Sequence, residues 1–322
     1  MHVAIVKILR MKKTLFALSL FVVHLAAQAQ TNLDSLWSIW NNTSQSDTSR
    51  LDAMDRFARD GYLFGQPDSA FYYASMGYNY AKSKGLKQNM RQALMTMATS
   101  MRLQGEIDSA LIILQQARVL DKALKDKRGE MIILGTMGNL YNMQANYPKA
   151  LEYFNKSLEL SPELDDVENI MAACIGNIAV IHHEQGDYVK ALKYFEESLV
   201  LFEKINSQNA IALTLCNIGN VYSGMKDHSA SLEYYQKGLE ANLALGEKKG
   251  AATALNGLSS AYYNLKEYDK ALNAAEQALE IATEVKDQTV IASALHMIGT
   301  IYSKKGEWKK AIDYCTKGQT IA

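Results

Sequence analysis

Residues 186–199 read GDYVKALKYFEESL, and nearly the same phrase stands at 145–158 (ANYPKALEYFNKSL), 266–279 (KEYDKALNAAEQAL) and 306–319 (GEWKKAIDYCTKGQ). Apolar residues inside each copy recur at three- and four-residue spacing, the period of an amphipathic helix. Each copy opens on a short polar pair, such as Gly186-Asp187, Gly306-Glu307 or Ala145-Asn146, that reads as a turn. Self-similarity at a fixed period outranks every other signal, so the register of the repeat comes first.

A small pivot residue sets that register: Ala70, Ala110, Ala150, Ala191, Ser231, Ala271 and Ala311, at spacings of 40, 40, 41, 40, 40 and 40. Seven positions after each pivot stands Gly77, Ala117, Ser157, Ser198, Gly238, Ala278 or Gly318. Twelve before it stands Ala58, Ala98, Gly138, Ala179, Gly219, Ser259 or Gly299, and sixteen before it a large apolar residue from Met54 to Leu295. Small residues at fixed positions mark places where two helix axes cross closely. Each unit is therefore two amphipathic helices. One pair cannot bury both faces, so neighbouring pairs must stack.

Gly138, Tyr141, Ala150, Phe154 and Pro162 carry the signature of the tetratricopeptide repeat in one copy, and Gly219, Tyr222, Ser231 and Tyr235 nearly do so in another. The chain resembles that family over about 50–322. Its 40-residue period exceeds the family's usual 34, and so is similar to the longer variants of kinesin light chain and bacterial peptide-sensing regulators. The resemblance implies an all-α, right-handed superhelical solenoid of about seven helix-turn-helix units. It also implies first helices lining a concave groove that takes a protein or peptide.

On the expected groove, the column eleven before each pivot runs Thr99, Asn139, Val180, Asn220, Ser260, Thr300. Four residues earlier run Met95, Gly135, Gly176, Cys216, Asn256, His296, with Asn177 and Asn217 one residue further along. An amide both donates and accepts, so a ladder of Asn139, Asn177, Asn217, Asn220 and Asn256 with Ser260 can hold a peptide backbone regardless of sequence. A second reading stands beside it, in which these Asn residues satisfy turns and helix ends. Arg102 and Lys304 are the basic residues expected near the rim, so a clamp for a terminal carboxylate is disfavoured.

Residues 11–30, MKKTLFALSLFVVHLAAQAQ, have a basic start, a short apolar run and Ala27-Gln28-Ala29 as a small-x-small cleavage site. The expected organisation is a signal peptide at 1–29, a capping helix and linker at 30–50, and the solenoid at 51–322. An uncleaved N-terminal anchor is the alternative, and would be the chain's contact with a membrane unless a further C-terminal region supplies one. Removing 1–29 takes away Lys7, Arg10, Lys12 and Lys13, leaving 30 basic against 34 acidic residues, the wrong sign for nucleic acid. Cys174, Cys216 and Cys315 are odd in number and far apart, which predicts buried free thiols. His182-His183-Glu184 is the nearest approach to a metal motif, but adjacent helical residues diverge by about 100°. No phosphate loop, zinc-protease motif or nucleophile elbow is present. No enzyme, cofactor or metal is expected.

The stretch DGYLFGQPDSAFYYASMGYNYAKSKGL (60–86) is similar to the opening of exported bacterial tetratricopeptide sensor regions. The reading is thus an exported, non-enzymatic binding module, periplasmic or secreted. Its expected setting is the extracytoplasmic sensing region of a membrane signalling protein; the alternative is a free-standing periplasmic or secreted scaffold. Ile312, Cys315 and Ile321 are expected to face outward on the last helix, as in a fragment of a longer chain or an end covered by a partner.

Overall fold

The computed structural model describes residues 32–321, so the leader expected at 1–29 lies outside the described residues. Secondary structure among the described residues is entirely helical. A first helix, α1 (32–41), precedes α2 (Asp47–Tyr62), α3 (Pro67–Ser83), α4 (Lys87–Leu103), α5 (Ile107–Leu124) and α6 (Lys127–Met143). Then come α7 (Tyr147–Leu158), α8 (Glu168–Glu184), α9 (Tyr188–Lys204), α10 (Gln208–Gly224) and α11 (His228–Leu245). The last four are α12 (Lys248–Asn264), α13 (Tyr268–Val285), α14 (Gln288–Lys304) and α15 (Trp308–Gln319). All seven pivots fall on odd-numbered helices from α3 onward, each preceded by its partner. The helices group into two compact units, up to Ile133 and from Leu134.

One backbone device makes the turns. From α3 onward, left-handed residues stand at 85, 105, 125, 145, 166, 186, 206, 226, 246, 266, 286 and 306, each between one helix and the next, with that at 166 following the 3₁₀ turn. At the end of α8, Gly186 N donates to His183 O and Asp187 N to His182 O, each at 2.9 Å. This double closure satisfies carbonyls that the helix end leaves open. Side chains then start the next helix: Asn146, Asp187, Asp227 and Asp287 accept from the backbone N–H three residues on. Pro67 and Pro148 occupy first-turn positions, where a missing N–H costs nothing. The 41-residue spacing arises where α7 stops early and a 3₁₀ turn, Ser161–Glu163, follows.

In the first unit, α1 lays Leu36 and Trp40 onto Leu51, Met54 and Phe57. Trp37 sits 5.2 Å from the Phe57 ring and 5.9 Å from that of Tyr73. Arg50 caps this aromatic layer, donating to Trp40 O at 2.8 Å and lying 4.7 Å above the Tyr80 ring.

In the second unit the pivots Ala150, Ala191, Ser231 and Ala271 are fully buried. At the crossing of α10 and α11, Ser231 Oγ donates to Gly219 O (3.0 Å). One unit on, Ser259 Oγ of α12 donates to Ala271 O (2.7 Å). The hydroxyl has changed helix and the crossing is kept. The Tyr-rich phrases divide cleanly: Phe154, Phe195 and Tyr235 are buried, while Tyr153, Tyr194 and Tyr234 are half-buried.

In several units the position eleven after a pivot meets the position twenty-one before the next pivot, and their sizes compensate. Phe202 pairs with Ala210, and Ala282 with Val290. Asp121 lies on Gly129 and Asn242 on Gly250, so close that a Cβ on either glycine would collide with the side chain.

Candidate functional site

Among the described residues, recesses lie along the first helices α8, α10, α12 and α14 of the second unit. A 170 Å³ recess between α8 and α10 is lined by Gly176, Asn177, Val180, Leu213 and Asn217. The next, 320 Å³, lies between α10 and α12 around Leu213, Asn242, Gly250 and Thr253. A third, larger than these two at 610 Å³, is bounded by Asn220, Tyr235, Asn256, Ser260, His296 and Gln319, among others. Among the described residues, no Asp, Glu, Lys or Arg lines this last cleft.

Why the cleft opens here is a matter of side-chain size. Four residues after the pivot, bulk falls from Phe154, Phe195 and Tyr235 to Ala275 and Cys315. Tyr235 projects from α11 between α10 and α12 because both present glycine to its ring. A Cβ at Gly219 would stand 3.1 Å from the ring and one at Gly257 would overlap it. The phenol donates to Asn220 Oδ1 at 2.5 Å. Burial pushes the Tyr235 pKa up, so the proton stays on this oxygen. Asn220 is thereby held by its carbonyl. Asn256 Oδ1 is buried with no hydrogen-bond partner among the described residues.

The expected site residues therefore separate. Asn220, Asn256 and Ser260 line the 610 Å³ cleft, and Asn177 and Asn217 the 170 Å³ recess. Asn139, exposed on α6, lines none of the three. Asn177 and Asn217 stand in mid-helix. Turn and cap duties fall to other asparagines, such as Asn146 and Asn206.

Tyr235, Met297 and Gln319 are lining residues that column reading missed. The shrinking column from Phe154 to Cys315 was the available signal. The same face also carries charge in the first unit, where the matching columns hold Asp55 and Arg59. Asp55 accepts from Thr96 Oγ1 (2.8 Å), Gln92 Nε2 (2.8 Å) and Arg59 Nη1 (2.9 Å), so its charge is spent internally.

The thiol expectation needs correction at one position. Cys174 and Cys216 are buried, but Cys315 is half-buried, because its small side chain borders the cleft where three other units place the rings of Phe154, Phe195 and Tyr235. Ile312 is exposed, whereas Ile321 packs on the Val290–Ile291–Leu295 cluster. His182 stacks on Tyr194 at 5.5 Å and 7°, as Tyr222 does on Tyr234 at 5.3 Å and 22°. Burial lowers the His182 pKa, assisted by Lys190. Among the described residues no three His, Cys, Asp or Glu side chains gather as a metal site would require. No described helix is long and apolar enough to cross a membrane.

The family model described as tetratricopeptide repeat matches residues 89–163, 171–244 and 250–322. No curated protein matches the chain in sequence. Among solved structures, the apo quorum sensor NprR from B. thuringiensis is similar at 16% identity and TM-score 0.74, over 90% of this chain and 80% of that one. A Rap protein complexed with competence and sporulation factor matches at 13% and 0.57, over 92% and 98%. A signal transduction ATPase with a tetratricopeptide repeat sensor, from Pyrococcus horikoshii, matches at 18% and 0.63, over 88% of this chain and 44% of that one. At these identities the likeness is one of fold.

Proposed function

Because the chain belongs to the tetratricopeptide repeat family, we propose that it is an exported, non-enzymatic binding module that holds an extended peptide or protein segment on the first-helix face of its second unit. The observation that carries this reading is the 610 Å³ cleft, walled by amides, hydroxyls and one imidazole with no acid or base of fixed charge. An uncharged wall of donors and acceptors suits a peptide backbone, which is itself neutral and offers both. The 170 and 320 Å³ recesses, with Leu213 bordering both, offer the segment's side chains space along the same face.

The sensing setting is supported by what the relatives are: a quorum sensor, a Rap protein in complex with competence and sporulation factor, and an ATPase with a tetratricopeptide repeat sensor. Export rests on the basic, apolar and small-x-small order of residues 11–30. On this reading the chain is the extracytoplasmic sensing region of a signal-transduction protein.

The test uses the chain from Gln30 to Ala322 and a displayed random peptide library. Enriched peptides are titrated calorimetrically against the native chain and an N217Y/N220Y variant whose helical circular dichroism matches it. Filling both recesses at once should weaken capture by at least about tenfold, about 1.4 kcal/mol. Equal affinity for both proteins rules this face out as the binding surface.

A further inference from the structure

Asp121 has no solvent exposure, and neither carboxylate oxygen has a hydrogen-bond donor among the described residues. Burying an ionised carboxylate in that state is costly. Its surroundings come from every element of the joint. Arg91 of α4 brings Nε to 3.2 Å of Oδ1 without donating to it. Asp126 in the turn accepts from Gly129 N at 2.8 Å. Glu130 of α6 is held by Arg118 at 2.8 Å and Lys122 at 3.7 Å, both from α5 itself. One cation faces Asp121 directly, and two further acids oppose its charge.

The repeat supplies the comparison. Asn242 occupies the same register, eleven after its pivot, and Gly250 the same register as Gly129. There the side chain is neutral, and Nδ2 donates to Gly238 O, one helical turn back, at 2.7 Å. An un-ionised carboxyl has the shape of that amide and one proton to give.

We propose that the α5–α6 joint tightens in acid: Asp121 takes a proton from solvent and donates it to Ala117 O, as Asn242 does to Gly238 O. The un-ionised Asp121 then needs no buried counter-charge, and its close contact with Gly129 at the start of α6 is held more firmly.

The sign follows from linkage. Burial, the largest influence, raises the Asp121 pKa to about 6 against Arg91's opposite pull, with Asp126 and Glu130 adding to the rise. A carboxyl whose pKa rises on folding binds its proton more tightly in the closed joint than in the open one. Stabilisation is therefore present in acid and lost as pH rises through about 6.

Hydrogen–deuterium exchange of the chain from Gln30, read by mass spectrometry at pH 5 and 7.5 and corrected for intrinsic rates, tests this. Peptides covering 118–131 should be about tenfold better protected at pH 5, and those covering 239–252 unchanged. In Asp121→Asn the first region should lose its pH dependence, and in Asn242→Asp the second should acquire one. A pH-independent first region in the native chain, or an unaltered dependence in Asp121→Asn, overturns the proposal. Should Asp121→Asn fail to fold, Asn242→Asp decides: a second region still flat overturns it too.

Discussion

Tyr235 shows how much one residue can settle. In the two preceding units the equivalent ring is a phenyl, Phe154 against Gly138 and Phe195 one unit on. Here an oxygen is added, and Gly257 lets the ring pass far enough to reach Asn220. Gly257→Ala should push the ring back and cost about 1–3 kcal/mol, read from urea unfolding. Tyr235→Phe keeps the packing and should cost about 1 kcal/mol, with the Asn220 amide released. The cysteines differ for the same reason of local space. Burial pushes the Cys216 thiol up to about 11 and raises Cys174, whereas Cys315 borders an open cleft. Iodoacetamide at pH 7.5 should label Cys315 in the native chain and reach the other two only in denaturant, as peptide mapping would show.

At the scale of the element, the helix ends are specified by backbone conformation more than by residue type. Five of the left-handed positions are glycine, but Lys125, Ala145, Asp166, Asn206, Lys226, Lys266 and Lys286 adopt the same geometry. Ala145, at φ 53°, has no side-chain hydrogen bond to offset that conformation. Ala145→Gly should stabilise the chain by about 0.5–1 kcal/mol, seen as a higher urea midpoint at unchanged slope. The pivots respond the other way. Ala191 is fully buried beside Ala179 and Phe195, so Ala191→Leu should cost about 3 kcal/mol or more. A smaller loss in calorimetric melting would mean that the α8–α9 crossing can open.

At the scale of the whole molecule, the proposed export makes one further prediction. If the leader is removed after Ala29, the mature chain begins at Gln30 and is net acidic, 30 basic against 34 acidic residues. Intact mass of the protein recovered outside the cytoplasm should then equal residues 30–322; a chain retaining Met1 or Met11 refutes cleavage.

The helical pairs and their register could be read directly from residues, because a solenoid repeats one local problem. The same crossing recurs every 40 residues, so its size rule is written seven times over. Asn177, Asn217, Asn220, Asn256 and Ser260 could likewise be placed on one helix face by counting alone. What counting could not supply is which positions border a common space. The cleft exists because Ala275 and Cys315 are small where Phe154 and Phe195 are large, and because Tyr235 crosses between two glycines from a helix behind the face. The charge of Asp121 is a similar case: its register is plain in sequence, but its isolation depends on Gly129 closing over it. Periodicity is a property of the chain, and sequence alone determined it. Cavities and orphaned polar atoms are properties of how unequal side chains share one volume, and only the packed tertiary structure decided those.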